Sequence, residues 1–187
     1  MGTIKATNIE PIADNGTVTL GSSGDTITIP SGVTITNNGT QTGFGGTNTP
    51  AFRARLNGDF NHNSNNTYLK VPFATEDYDT DSAYDSTTNY RFTVPSGQAG
   101  KYFINAFLRA NYNCAVVISI YKNGSGVHYS DAGTNGLAVV SPQITTTMNL
   151  SVSDYIEIYV FQNSGGSLTF NDSSGIYPWF EMFKLVE

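Results

Sequence analysis

A chain of 187 residues has room for one ordinary domain with an appendage, or for two small ones. Only 13% of its residues are charged, against 39% hydrophobic, with 11 Tyr and 11 Phe; this excludes a disordered tail and marks an ordered β-rich protein. A net charge of -6, with the nine Lys and Arg scattered from Lys5 to Lys184, excludes a phosphate-tracking surface, so nucleic acid is not an expected partner.

The opening Met1-Gly2-Thr3-Ile4-Lys5-Ala6-Thr7-Asn8 has no apolar core of signal-peptide length, and Ala6 stands where myristoylation wants Ser or Thr. No stretch approaches the roughly 18 apolar residues that span a bilayer, so no membrane insertion is expected. Three short alternating strands are predicted next: Thr17–Leu20, Thr26–Ile29 and Val33–Thr36, with turns at Gly21–Asp25 and Pro30–Gly32. Their aliphatic side is Val18, Leu20, Ile27, Ile29, Val33 and Ile35. Six such residues bury too little apolar surface to order the segment, so it needs copies of itself or a docking surface. The stretch Gly43–Pro50 breaks both helix and strand patterns and reads as a joint. The expected organisation is an arm over 1–46 and a head over 47–187, with the linker at about 43–50.

After Pro50, Asp59–Tyr68 forms an Asn-rich loop with occasional rings, as does Asn163–Gly175. Such loops either make turns or offer adaptable hydrogen bonds and stacking platforms to a glycan or protein epitope. Glu76–Asp85 holds five carboxylates in ten residues. The alternate spacing of Asp77, Asp79 and Asp81 suits oxygen ligation of calcium, the one cofactor in view; the other reading is a solvated acidic loop. Against an EF-hand, Ser82 stands where Gly is wanted and Thr88 where a bidentate Glu is wanted.

Strong alternation follows. Tyr102, Ile104, Ala106 and Leu108 share one strand face, with Phe103, Asn105 and Phe107 on the other. Cys114, the sole cysteine, excludes an intrachain disulfide and reads as a small buried hydrophobe beside the run Ala115–Ile118. Val116, Ile118 and Ile120 oppose Val117, Ser119 and Tyr121; Ile156, Ile158 and Val160 alternate with Tyr155, Glu157, Tyr159 and Phe161. The last strand, Tyr177–Val186, is apolar on both faces. Strands broken by turns at such short spacing predict an all-β antiparallel jelly-roll sandwich preceded by a short β-rich arm.

The chemistry of catalysis is sparse. His62 and His128 lie in Gly/Asn/Ser-rich contexts that read as loop or hairpin, and no Gly-x-Ser-x-Gly, His-Glu-x-x-His or phosphate-cradling loop is present. A hydrolase would need a triad that nothing here selects.

Six short signatures run in order along the head: Ala51-Phe52-Arg53-Ala54, Tyr84-Asp85, Arg91-Phe92-Thr93-Val94-Pro95, Gly100-Lys101-Tyr102-Phe103, Tyr121-Lys122-Asn123-Gly124 and Asp154-Tyr155-Ile156-Glu157-Ile158. In that order and spacing they resemble the globular head of complement component 1 subunit q, which shares a trimeric jelly roll with tumour necrosis factor. The resemblance implies a non-enzymatic binding module in which three subunits pack around an axis lined with aromatic rings. A surplus of rings on second strand faces fits a subunit interface, with Tyr102, Phe103, Tyr155, Tyr159, Phe161, Tyr177 and Trp179 as candidates.

The Thr/Gly-rich rungs of the arm resemble the shafts and attachment arms of bacteriophage fibres and spikes. Ile4–Glu10 and Gly24–Pro30 are similar to the N-terminal ends of marine-phage structural proteins. The expectation is a trimeric fibre, spike or capsid decoration protein of a virion, assembled in the host cytoplasm and released by lysis. Its arm would contact other virion proteins, and its head a host glycan or surface protein. The alternative is a free bacterial carbohydrate- or protein-binding module.

Overall fold

The structure is a computed structural model, and it describes residues 9, 11, 16–39, 48–133, 136, 139–170 and 177–185. The chain divides into two compact units, 1–42 and 43–187.

In the first unit the described residues 16–39 carry two turns and no strand. The Asp25 amide donates to the Ser22 carbonyl at 3.0 Å, and the Val33 amide to the Pro30 carbonyl at 3.2 Å. This corrects the three predicted arm strands. Extended backbone becomes a strand only when a neighbour takes up its N–H and C=O groups, and these segments pair with nothing described. The attachment candidates Val18, Leu20, Ile27, Ile29, Val33 and Ile35 are 40–63% exposed. The expected joint at 43–50 lies mostly outside the described residues.

Among the described residues the second unit holds thirteen strands: β1 (Ala51–Arg55), β2 (Phe60–His62), β3 (Thr67–Lys70), β4 (Thr75–Asp79), β5 (Tyr84–Asp85), β6 (Arg91–Thr93), β7 (Gly100–Phe107), β8 (Ala115–Lys122), β9 (Ser125–Gly133), β10 (Gln143–Leu150), β11 (Tyr155–Gln162), β12 (Leu168–Phe170) and β13 (Trp179–Lys184). All pairings are antiparallel. One sheet runs β10-β7-β13-β1-β4; a second runs β5-β6-β11-β8-β9, with β3 also pairing β11; β12 and β2 form a small ribbon.

The inner faces meet in one core, to which β1, β7, β8, β11 and β13 turn alternate residues. Tyr102, Ile104, Ala106 and Leu108 of β7 and its extension are fully buried, as are Ile118, Ile120, Ile156 and Val160 opposite. At one end, Phe52 stacks on Tyr84 at 4.4 Å and on Phe92 at 5.4 Å and meets Phe180 edge-on at 4.9 Å. Aromatic pairs in such geometries add about 0.5–1.5 kcal/mol each beyond their buried area. Among the described residues there is no helix, and so none long and apolar enough to cross a membrane.

Candidate functional site

The acidic loop shows what its carboxylates do. Asp77 pairs with Arg55, and its second oxygen lies 3.5 Å from Arg53 Nε. Asp79 accepts from the amides of Ala83 at 3.1 Å and Tyr84 at 2.8 Å, closing the turn into β5. Asp81 accepts from the Thr80 hydroxyl. The three therefore serve separate partners, and among the described residues no group of three or more His, Cys, Asp or Glu side chains is placed to hold a metal. The alternate spacing that suggested calcium is that of β4 and its turn, with Asp77 spent on arginines, Asp79 on backbone amides and Asp81 on a hydroxyl.

The Asn-rich loops are likewise spent on each other. Asn61 accepts from Thr169 Oγ1 at 2.6 Å, Asn63 from Ser167 Oγ at 2.9 Å and Asn65 from the Gly165 amide at 2.9 Å. Beneath them Gln162, fully buried, donates to the carbonyls of Ser64 at 3.1 Å and Gly166 at 2.7 Å. His62 is also fully buried, not in a loop as its neighbours suggested; Nε2 bonds the Thr67 carbonyl at 2.9 Å. Residues 171–176 of the second predicted loop lie outside the description.

Both outer sheet faces carry aromatic rings, and they differ in chemistry. On the five-stranded sheet Phe103 stacks on Phe183 at 4.9 Å and Phe107 on Trp179 at 4.5 Å. Arg53 lies 5.2 Å above the Trp179 ring. At the centre Asn105, buried, donates to Glu181 at 2.8 Å and accepts from Thr145 at 2.9 Å and Gln143 at 3.1 Å. Trp179 Nε1 is buried and meets no acceptor. An unmet buried donor costs about 1–3 kcal/mol.

The six-stranded sheet presents Tyr68, Tyr121, Tyr155, Tyr159 and Phe161. Tyr121 stacks on Tyr159 at 4.0 Å, and Tyr68 tilts against Phe161 at 5.3 Å. Partial burial raises the phenol pKa of both Tyr121 and Tyr159, so the hydroxyls stay protonated as donors. Glu157, only 4% exposed, is held by Lys70 Nζ beneath these rings.

The seven predicted interface residues thus fall in four places. Phe103 and Trp179 lie on the five-stranded sheet's outer face; Tyr155, Tyr159 and Phe161 lie on the opposite outer face. Tyr177 precedes β13, with Arg55 4.9 Å above its ring. Tyr102 is a correction: it is fully buried in the core, and its hydroxyl donates to the Gln98 carbonyl at 2.6 Å. Alternation had placed Tyr102 and Phe103 on opposite faces but not said which was interior. Sequence reasoning missed Phe183 and Tyr68 as face residues. The register of β13 against β7, with Phe183 opposite Phe103 and Trp179 opposite Phe107, is what brings the first pair together.

No protein-family model and no curated protein matches the chain. Among solved structures it is similar to murine APRIL, at 10% identity over 72% of this chain and 98% of that one, with a TM-score of 0.55. It is also similar to the globular domain of zebrafish complement 1qA protein, at 18% identity over 73% and 98%, with a TM-score of 0.48. The head is an all-β antiparallel jelly roll whose fold is similar to that of murine APRIL.

Within that jelly roll the short signatures are structural. Asn123 and Gly124 both have positive φ, 53° and 78°, as a two-residue type I′ hairpin between β8 and β9 requires. Asn123 then donates to Asp154 at 2.7 Å and accepts from the Tyr155 amide at 2.9 Å, tying the hairpin to the start of β11. Asp85 accepts from the amides of Thr87 and Thr88 and from Asn89, which hold its carboxyl well below the usual range. Burial pushes Tyr84 far above its ordinary pKa, and its hydroxyl donates to the Phe73 carbonyl at 3.0 Å.

Proposed function

We propose that this chain is a non-enzymatic, homotrimeric structural and binding protein of a bacteriophage particle, its arm anchored in the virion and its head facing outward. The observation that carries the trimer is the Phe103–Phe183 and Phe107–Trp179 face. Burying that face against a second and third copy removes an apolar patch that soluble monomers avoid. The head fold supports the same reading, since the family resemblance implies a threefold assembly. Three heads on one axis would let weak outward contacts gain avidity.

The arm supports the particle. Its six aliphatic side chains stand exposed, and residues 16–39 carry a single charge, Asp25, whose carboxylate accepts from the Ser22 amide at 2.7 Å. An uncharged Thr/aliphatic segment of this kind fits an apolar seat on another structural protein. Light scattering of the full chain should give the mass of three chains, and a stable mass of one chain rejects the trimer. Immunogold electron microscopy of lysate from the source culture should label capsids or tails; label confined to cells or free protein rejects the virion.

A further inference from the structure

We propose that an open cleft, walled by the β1–β2 turn, the β3–β4 connection and the end of the 85–90 loop, binds one ring of a neutral sugar. The cleft is built within one chain, so the site is independent of the trimer and of the particle.

Three separate segments converge to make it. Gly58, at a φ of 86°, turns the chain from β1 into β2, and Asn57, Asp59, Phe60 and Asn61 line the cleft from this side. Pro72, between β3 and β4, lines it from a second side. Tyr90 lines the third; it leaves the loop that Asp85 closes, at a φ of 49°. Phe60 is itself held by Phe170, the two rings stacked at 5.8 Å. The space measures about 270 Å³, just below the roughly 300–1,000 Å³ of sites for drug-sized ligands, which suits a single sugar ring better than a cofactor.

Charge and hydrogen-bonding capacity select the ligand. Asp59 lines the cleft and no Lys, Arg or His does, so phosphates, uronates and acidic peptides meet only repulsion there. One carboxylate is also too few to hold a metal, and no group of metal-binding side chains occurs among the described residues. Asn61 spends its side-chain oxygen on Thr169 Oγ1 at 2.6 Å and keeps both Nδ2 protons to donate. Among the described residues no hydrogen bond occupies the Asn57 side chain or the Tyr90 hydroxyl. The cleft thus holds three polar side chains with donors to give, beside two aromatic rings. An ammonium ligand has no acceptor for those donors, and neither has a lipid chain. The hydroxyl and ring oxygens of a sugar supply acceptors, and its C–H face suits the Phe60 and Tyr90 rings.

Isothermal titration calorimetry of the full-length protein with isomaltotriose, mannotriose, chitotriose, trigalacturonate and choline tests the site. At least one of the three neutral trisaccharides should bind, with an affinity that salt does not change. Tyr90→Phe keeps the ring and removes the hydroxyl. That variant and Asn57→Ala should each weaken the binding about two- to tenfold, the size of one hydrogen bond. Tyr129→Ala, which alters an exposed ring on β9 outside the cleft, should leave it unchanged. Trigalacturonate binding as tightly as the neutral sugars overturns the selection by charge, and choline binding in their place overturns the sugar. A neutral sugar whose binding neither cleft variant weakens sits elsewhere and overturns the site. No binding of any ligand at millimolar concentration overturns the proposal, whatever mass light scattering gives.

Discussion

Asp154 shows how one side chain ties together two turns that lie thirty residues apart. It accepts from Lys122 at 2.7 Å, from Asn123 at 2.7 Å and from the Ser151 amide at 2.8 Å. Those bonds, led by Lys122, lower its carboxyl from 3.8 to about 2. A carboxylate depressed in the folded state stabilises fully above its unfolded value and loses that contribution as pH falls through the folded one. Thermal stability should therefore drop between about pH 4 and pH 2. Asp154→Asn should lower the melting temperature at pH 7 and flatten this acid limb, leaving a residual slope from the depressed carboxyl of Asp85. A variant whose pH–melting curve parallels that of the unchanged protein would show that Lys122 and Asn123 hold the hairpin without it.

Strands with a clean period of two were legible in the sequence, and the arm and the loops were not. The alternation in β7, β8 and β11 identified the pairs of faces, because a residue's side is fixed by counting. Which face was interior depended on pairing, and only the β13 register against β7 shows that Tyr102 looks inward. The Asn-rich run was ambiguous because an amide side chain serves a turn, a ligand or a facing loop equally well; Asn61, Asn63 and Asn65 meet partners about a hundred residues away. The acidic run misled for a related reason. Its spacing is common to strands and metal loops, and only Arg53 and Arg55 across the sheet distinguish them. In the arm, local pattern predicted strands where the described residues carry none, because alternation fixes a side-chain period and not a pairing partner. Limited proteolysis of the purified protein should accordingly cut between residues 16 and 39 before any site in the head, and intact particles should protect the same segment. Equal protection in a monomeric preparation would remove the argument that the arm requires a docking surface.

The molecule as a whole has two ring-bearing faces on opposite sides of one sandwich, and a threefold assembly must choose between them. The five-stranded face is the better interface because its rings are phenyl and indole, lacking hydroxyls to keep solvated. The opposite face carries tyrosines, a cation and a shielded ion pair, which remain comfortable in water. A charge placed at the centre of a buried interface is far more costly than one placed on a solvated surface. Phe103→Glu should therefore reduce the mass seen by light scattering from three chains to one, while Tyr159→Glu should leave three. Because both positions are half-buried outer-face residues, neither substitution touches the core that Tyr102 and Phe180 fill, and far-ultraviolet circular dichroism should report folded β-structure in both. The reverse pattern, with Tyr159→Glu dissociating the assembly and Phe103→Glu preserving it, would move the interface to the six-stranded sheet.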